Sequence, residues 1–246
     1  MILSIQNFVF FSAFTCVLCV IPGYIKVCSS SEKDLDKCII NSIDELRPKL
    51  REGIEELNVP SIEPLTLDEV KLRSGPRAAK IDANITNLRV WGASDFQILS
   101  LEPNLNKNKF VFKATIPSLY FEGDYDIDMN LLLLKFKGQG PIQGNFSDYT
   151  FDCVLRGKRI NKNGAQYLEF RKMALRLNIG PKSLIRLGNL FSQDPQIAKA
   201  TNQVIEENSD IFVEEIKPAL ENSLSQKFTD IANQITTRFT FKELFP

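Results

Sequence analysis

No histidine occurs anywhere in the 246-residue sequence. Its absence excludes Ser-His-Asp and Cys-His catalysis, histidine-ligated zinc and any imidazole pH switch. Neither charge is in excess: Lys and Arg number 30, and so do Asp and Glu. The balance gives no electrostatic case for nucleic acid or for an anionic membrane surface. Tryptophan occurs once and tyrosine five times, against 18 phenylalanines, which makes for much greasy surface. No internal repeat or low-complexity stretch is evident. A chain that is 43% hydrophobic and 24% charged still has the makings of a real core, in one large domain or two small ones.

The run from Ile2 to Ile21 is apolar and uncharged, and Pro22 and Gly23 break it. It reads as the hydrophobic part of a signal peptide over residues 1–23, with cleavage between Cys19 and Val27. No Lys or Arg precedes the run, and no clean small-x-small site follows it. An uncleaved anchor is the rival reading, since the stretch is just long enough to span a bilayer. The polar interruptions Ser4, Gln6, Asn7, Ser12 and Thr15 favour the shorter segment and a secreted, extracellular product. Cys16 and Cys19 leave with the signal. Cys28 and Cys38, ten apart, can close a short loop at the start of the mature chain. Cys153 is then odd, in the strand-like run Tyr149–Leu155. It reads as a buried thiol acting as a small hydrophobe, because a catalytic thiolate there lacks its usual histidine activator. Two N-x-S/T sequons, at Asn84 and Asn145, are candidate glycosylation sites in an exported chain.

Beyond the leader, apolar residues at Leu35, Cys38, Ile39, Ile43, Leu46, Leu50, Ile54 and Leu57 recur in steps of three and four. That spacing predicts an amphipathic helix over 34–57, kinked at Pro48. Residues 58–64 form a rigid, proline-bearing connector. From Thr66 to about Ile179 the period becomes two, as in Phe110, Phe112, Ala114 and Ile116, or Met173, Leu175, Leu177 and Ile179. About seven strands punctuated by Gly92, Gly123, Gly138–Pro141, Asn161–Gly164 and Gly180-Pro181 fit an antiparallel meander. Asp194-Pro195 then reads as a helix start, with a short helix to Glu207. From Ser209 an apolar stripe through Ile211, Phe212, Ile216, Leu220, Leu224, Phe228, Ile231, Ile235 and Phe239 predicts a helix of about thirty residues, roughly 45 Å long, with a bend at Pro218. A twisted, strongly curved sheet with one greasy face can wrap such a helix. Any space its Phe and Leu side chains leave unfilled becomes an elongated apolar cavity.

Several markers in order resemble one known family, the takeout and juvenile-hormone-binding proteins of insects. They are Cys28 and Cys38 before the first helix, the stretch Gly53–Leu65, Ile85–Gly92, Pro117–Ile127, Gly138-Gln139-Gly140, Leu187–Phe191 and the closing Glu243-Leu244-Phe245. The resemblance covers nearly the whole mature chain. It implies a single domain over 28–246 of α+β class, in which a long C-terminal helix lies inside a highly curved antiparallel sheet around an internal hydrophobic tunnel. It further implies a carrier of a fatty acid, isoprenoid or juvenile-hormone-like lipid, with the N-terminal helix as a gate, in feeding, circadian or chemosensory physiology. Cys153 has no mate, which departs from hormone-binding members and favours the takeout-like branch.

Candidate ligand contacts on the inferred inner faces are Phe96, Phe110, Phe112, Ile127, Phe170, Leu177, Phe212, Ile216, Leu220 and Phe228, with Tyr125 for a ligand's polar end. Leu46, Leu50 and Ile54 are the gate candidates. Core packing is the bland alternative for each of them. No catalytic residue, cofactor or metal is expected; the alternating Asp124, Asp126 and Asp128 read as a solvated strand face rather than a calcium site. The expected partners are a small hydrophobic ligand and a cell-surface receptor, with no nucleic acid and no stable membrane insertion, for a monomeric chain. The alternative is a secreted interaction or signalling effector that uses the fold as a scaffold around a filled cavity.

Overall fold

The computed structural model describes residues 21–74, 80–131, 134–189 and 195–246. The leader reading over residues 1–20 and the cap reading at Asp194 lie outside them. The first helix, α1, spans Leu35–Glu52 and runs on through Pro48. Gly53 stops it, and the predicted last turn becomes a separate 3-10 turn at Glu55–Leu57. Among the described residues eight strands follow: β1 Leu65–Ser74, β2 Lys80–Trp91, β3 Gln97–Asn104, β4 Lys109–Leu131, β5 Leu134–Lys162, β6 Ala165–Phe170, β7 Ala174–Asn178 and β8 Leu184–Leu187. Helices α2 (Pro195–Glu207), α3 (Ser209–Thr236) and α4 (Phe241–Leu244) close the chain.

All strand pairs are antiparallel, in one curled sheet of order β1-β2-β4-β5-β6. It departs from a simple meander. β3 pairs only the first part of β4, and β7 and β8 both pair β5. The cause is length: β4 has 23 residues and β5 has 29, so each spans several short partners. Gly123 and Gly138–Pro141 therefore lie inside β4 and β5, whereas Gly92 and Gly180-Pro181 do fall between strands, as expected. At Gly140 a Cβ would sit 2.6 Å from the Gly188 carbonyl oxygen, so the residue admits a crossing chain instead of ending β5. Asn163-Gly164 does make a turn. Both have positive φ, +50° and +79°, as a two-residue hairpin between β5 and β6 requires.

Side chains alternate across the sheet except where a bulge shifts the register, as between Ile98 and Ser100. In β7, Leu175 and Leu177 are buried while Ala174, Arg176 and Asn178 are exposed. The inner face packs on α3, which lies against β1, β6 and β7. Apolar residues of sheet, α2 and α3 make one core. A smaller cluster of Ile54, Leu57, Val59 and Phe239, joined by Ile21 and Ile25, closes the end nearest α1.

Helix side chains also satisfy backbone groups that the short strands leave unpaired. Asn233 on α3 receives the Phe170 N–H at 2.7 Å and donates to its carbonyl at 2.9 Å. Thr229 accepts from the Met173 N–H and Glu221 from the Leu177 N–H, each at 2.8 Å. Asn202 on α2 does for Leu187 what Asn233 does for Phe170. Buried backbone groups need partners, so these polar residues belong to the fold as much as the apolar stripe does.

Candidate functional site: an apolar cavity under the first helix

Between the curled sheet and the middle of α3 lies a cavity of about 340 Å³. α3 contributes Leu220, Leu224, Phe228 and Ile231; α1 contributes Ile43 and Leu50. The sheet supplies Leu88, Val90, Ile98, Phe112, Ala114, Ile116, Leu119, Phe121, Phe146, Tyr149, Phe151, Cys153, Leu175 and Leu177. Among the described residues no charged side chain lines it. The volume is at the low end of ligand pockets, which run from about 300 to 1,000 Å³.

Six of the residues proposed from sequence come together on this wall: Phe96, Phe112, Leu177, Leu220, Phe228 and Leu50. The others sit elsewhere. Phe110 and Phe170 meet edge to face, 5.8 Å between centroids, and Phe110 stacks on Phe245 near the C-terminus. Ile127 and Phe212 are buried in the core, and Ile216 packs against that core partly buried; none of the three lines the cavity. Ile54 belongs to the end cluster, and Leu46 is half-buried outside the cavity wall. Tyr125 is inward-facing but its hydroxyl donates to the Gly188 carbonyl at 2.7 Å, so it is not placed to receive a ligand's polar end.

A tyrosine not singled out from the sequence, Tyr149, does reach the cavity. It is 5% exposed and lies between the rings of Phe146 and Phe151, at 6.4 and 6.1 Å. Among the described residues no hydrogen bond holds its hydroxyl. Burial, followed by the neighbouring Cys153 and Glu221, pushes its pKa well above the ordinary phenol value, so the group stays a neutral donor. Cys153, 1% exposed, faces the same space. Burial and then Asp152 push its thiol up to about 12, which removes thiolate chemistry near neutrality. Asp124, Asp126 and Asp128 alternate on the exposed face of β4, and among the described residues no group of acidic or thiol side chains could hold a metal.

α1 is fastened to this wall. Arg47 donates from Nη1 to the carbonyls of Ser94, 2.8 Å, and Phe96, 2.6 Å. Its guanidinium carbon lies 4.1 Å from the Phe96 ring centroid. The Ile62 N–H donates to the Leu50 carbonyl, and Cys28 is disulfide-bonded to Cys38. Of the two sequons, Asn145 is exposed on β5, whereas Asn84 is half-buried with its side-chain oxygen enclosed.

Residues 8–246 match the family model of the haemolymph juvenile hormone binding proteins. The chain belongs to this family. The crystal structure of takeout 1 from Epiphyas postvittana superposes with a TM-score of 0.76 at 16% identity, over 90% of this chain and 99% of that one. The circadian clock-controlled protein daywake of Drosophila melanogaster is 21% identical over 91% of this chain and 88% of its own length. A putative beta-carotene-binding protein of Schistocerca gregaria is also 21% identical, over 90% and 88%. As a juvenile hormone binding protein family member with a takeout-like half-barrel around α3, the chain has a lipid- and hormone-binding carrier fold. Among the described residues no helix is long and apolar enough to cross a membrane.

Proposed function

We propose that the protein is a secreted carrier that encloses one small, uncharged hydrophobic molecule, such as an isoprenoid or an esterified acyl chain. The observation that carries this reading is the apolar cavity of about 340 Å³ between α1, the sheet and α3. An apolar cavity of about 150 Å³ stays dry and takes up one benzene. The space here therefore suits about twice that bulk, on the order of a dozen carbon atoms. At ~0.8 kcal/mol per methylene, burying them yields roughly 10 kcal/mol gross. Ordering and association remove several kcal/mol, which leaves about 6–8 kcal/mol, a dissociation constant from about micromolar to tens of micromolar.

The lining sets the ligand's charge. A free carboxylate would find no cation and would be desolvated at several kcal/mol. A neutral acceptor, such as an ester, ketone or epoxide oxygen, meets the Tyr149 hydroxyl. Export is supported by the disulfide, which persists in oxidising compartments, and by the haemolymph family. The likeness to takeout 1 and daywake supports a takeout-like setting in feeding, circadian or chemosensory physiology. α1 serves as the gate, with Leu50 on the cavity wall.

Organic extraction and mass spectrometry of protein secreted from eukaryotic cells tests the reading. A stoichiometric neutral lipid of this size is the expected result. An empty protein that also binds no fluorescent apolar probe would overturn it.

A further inference from the structure

The outer face of the sheet carries an apolar row that the cavity does not explain. Trp91 on β2 pairs with Tyr120 on β4, Tyr120 with Asn145 on β5, and Asn145 with Leu184 on β8. Their neighbours Val90, Leu119, Phe121 and Phe146 line the cavity, so by alternation the four residues point outwards. Tyr120 is 39% exposed and Leu184 38% exposed, two of the six large apolar side chains exposed among the described residues. The rings of Trp91 and Tyr120 are 5.5 Å apart and form one surface. Within this row stands Asn145, the first residue of the sequon Asn145-Phe146-Ser147.

We infer that Asn145 carries an N-linked glycan whose first sugars lie on the Trp91–Tyr120 surface and beside Leu184. The inference rests on the export reading and not on the carrier reading. In the transfer, the Asn145 amide nitrogen attacks the anomeric carbon of a polyprenyl-pyrophosphate-linked oligosaccharide. The new C–N bond forms as the sugar–pyrophosphate bond breaks, the amide gives up one proton, and polyprenyl pyrophosphate leaves. The geometry suits the product. Adjacent strands are about 4.8 Å apart, so Trp91, two strands from Asn145, is roughly 10 Å away. One or two sugar rings cover that span, and their C–H faces pack against aromatic faces while their hydroxyls stay in water. The arrangement also answers why an antiparallel sheet leaves an apolar row on its wet face.

Trp91 is the only tryptophan in the chain, so its fluorescence reports this surface alone. The test uses the full chain expressed in insect cells and recovered from both medium and lysate. Glycopeptide mapping is expected to find hexosamine on Asn145. Acrylamide quenching of Trp91 is expected to be weak in the glycoprotein, to stay weak after an endoglycosidase leaves the first sugar, and to rise on complete enzymatic removal. Asn145→Gln and Ser147→Ala, two independent losses of the sequon, are each expected to match the fully deglycosylated protein. Unmodified Asn145 in both fractions overturns the inference. So does modified Asn145 with quenching that does not change on removal of the sugar. Unmodified Asn145 in protein collected from the medium sinks the glycan while leaving export intact.

Discussion

The Arg47 side chain on α1 grips Phe96 twice, once by donating to its carbonyl at 2.6 Å and once by lying 4.1 Å from its ring centroid. Because the Phe96 ring also lines the cavity, one residue couples the position of α1 to the shape of the wall. Bonds from a charged donor contribute about 1.5–3 kcal/mol, and a cation–π contact roughly 0.5–2 kcal/mol. Arg47→Ala is expected to raise the dissociation rate of a bound apolar probe by about tenfold or more, 1.4 kcal/mol being a factor of ten. Arg47→Lys keeps the charge but loses the planar fork and should fall between the two. Stopped-flow release of the probe measures both; an unchanged rate in Arg47→Ala would show that α1 does not control exit.

Among the described residues Tyr149 brings the one hydroxyl to a wall that is otherwise apolar. Tyr149→Phe removes it and keeps the ring between Phe146 and Phe151. For a ligand bearing an ester or epoxide oxygen, the loss of one neutral hydrogen bond should weaken binding by about 0.5–1.5 kcal/mol. For a pure hydrocarbon of the same bulk, affinity should hold steady or rise. Titrating both ligand types against both proteins makes the comparison; equal effects on the two would remove Tyr149 from polar recognition.

The larger outline of this site is legible in the sequence because it follows from periodicity. The apolar stripe on α3 and the alternation of β7 are enough to put Leu220, Phe228 and Leu177 on facing surfaces. The tyrosine is harder to assign. Tyr125 and Tyr149 both lie on inward strand positions, and only the approach of Gly188 to Tyr125 decides which hydroxyl is already used. The same holds for Asn202, Glu221, Thr229 and Asn233, which look like ordinary polar helix positions until the short strands beside them leave N–H and C=O groups to satisfy. Gly140 misleads in the opposite sense, since glycine marks a close approach as readily as a turn. Phe110 and Phe170 have the right parity for the inner face but fall at the C-terminal end, where Phe245 packs on Phe110. Parity gives the face of a residue; its position along the barrel depends on register.

Filling the cavity separates binding from folding. Ala114 is 2% exposed and lines the space from β4. Ala114→Leu places three more carbons there, where they displace ligand volume without overpacking a filled core. Affinity for an apolar probe is expected to drop by at least about tenfold, while each newly buried methylene adds up to ~0.8 kcal/mol of stability. Thermal unfolding of the ligand-free protein should therefore show an unchanged or raised midpoint. A lowered midpoint with retained binding would mean that the space is not open to a ligand in solution.

The titration behaviour follows from a chain without histidine and from a cavity wall that, among the described residues, carries no carboxylate, although Glu221 lies near Tyr149. Probe affinity should be flat from about pH 5 to 8, because no imidazole is present and the groups on the wall stay neutral. Stability should fall at alkaline pH. Burial, then Asp152, pushes Cys153 up to about 12, and burial raises Tyr149 further, so the folded state holds protons that the unfolded chain releases. For an acid whose folded pKa is raised, the stabilisation is complete below the unfolded value, about 8.5 for a thiol, and is lost as pH climbs towards the folded one. Within that window the thiol contributes a decline of about 1.4 kcal/mol per pH unit, and Tyr149 adds its own only above the ordinary phenol value of about 10. Urea unfolding across the window should show a shallower decline in Cys153→Ala than in the wild type. Parallel declines would show that the thiol is not the group being titrated.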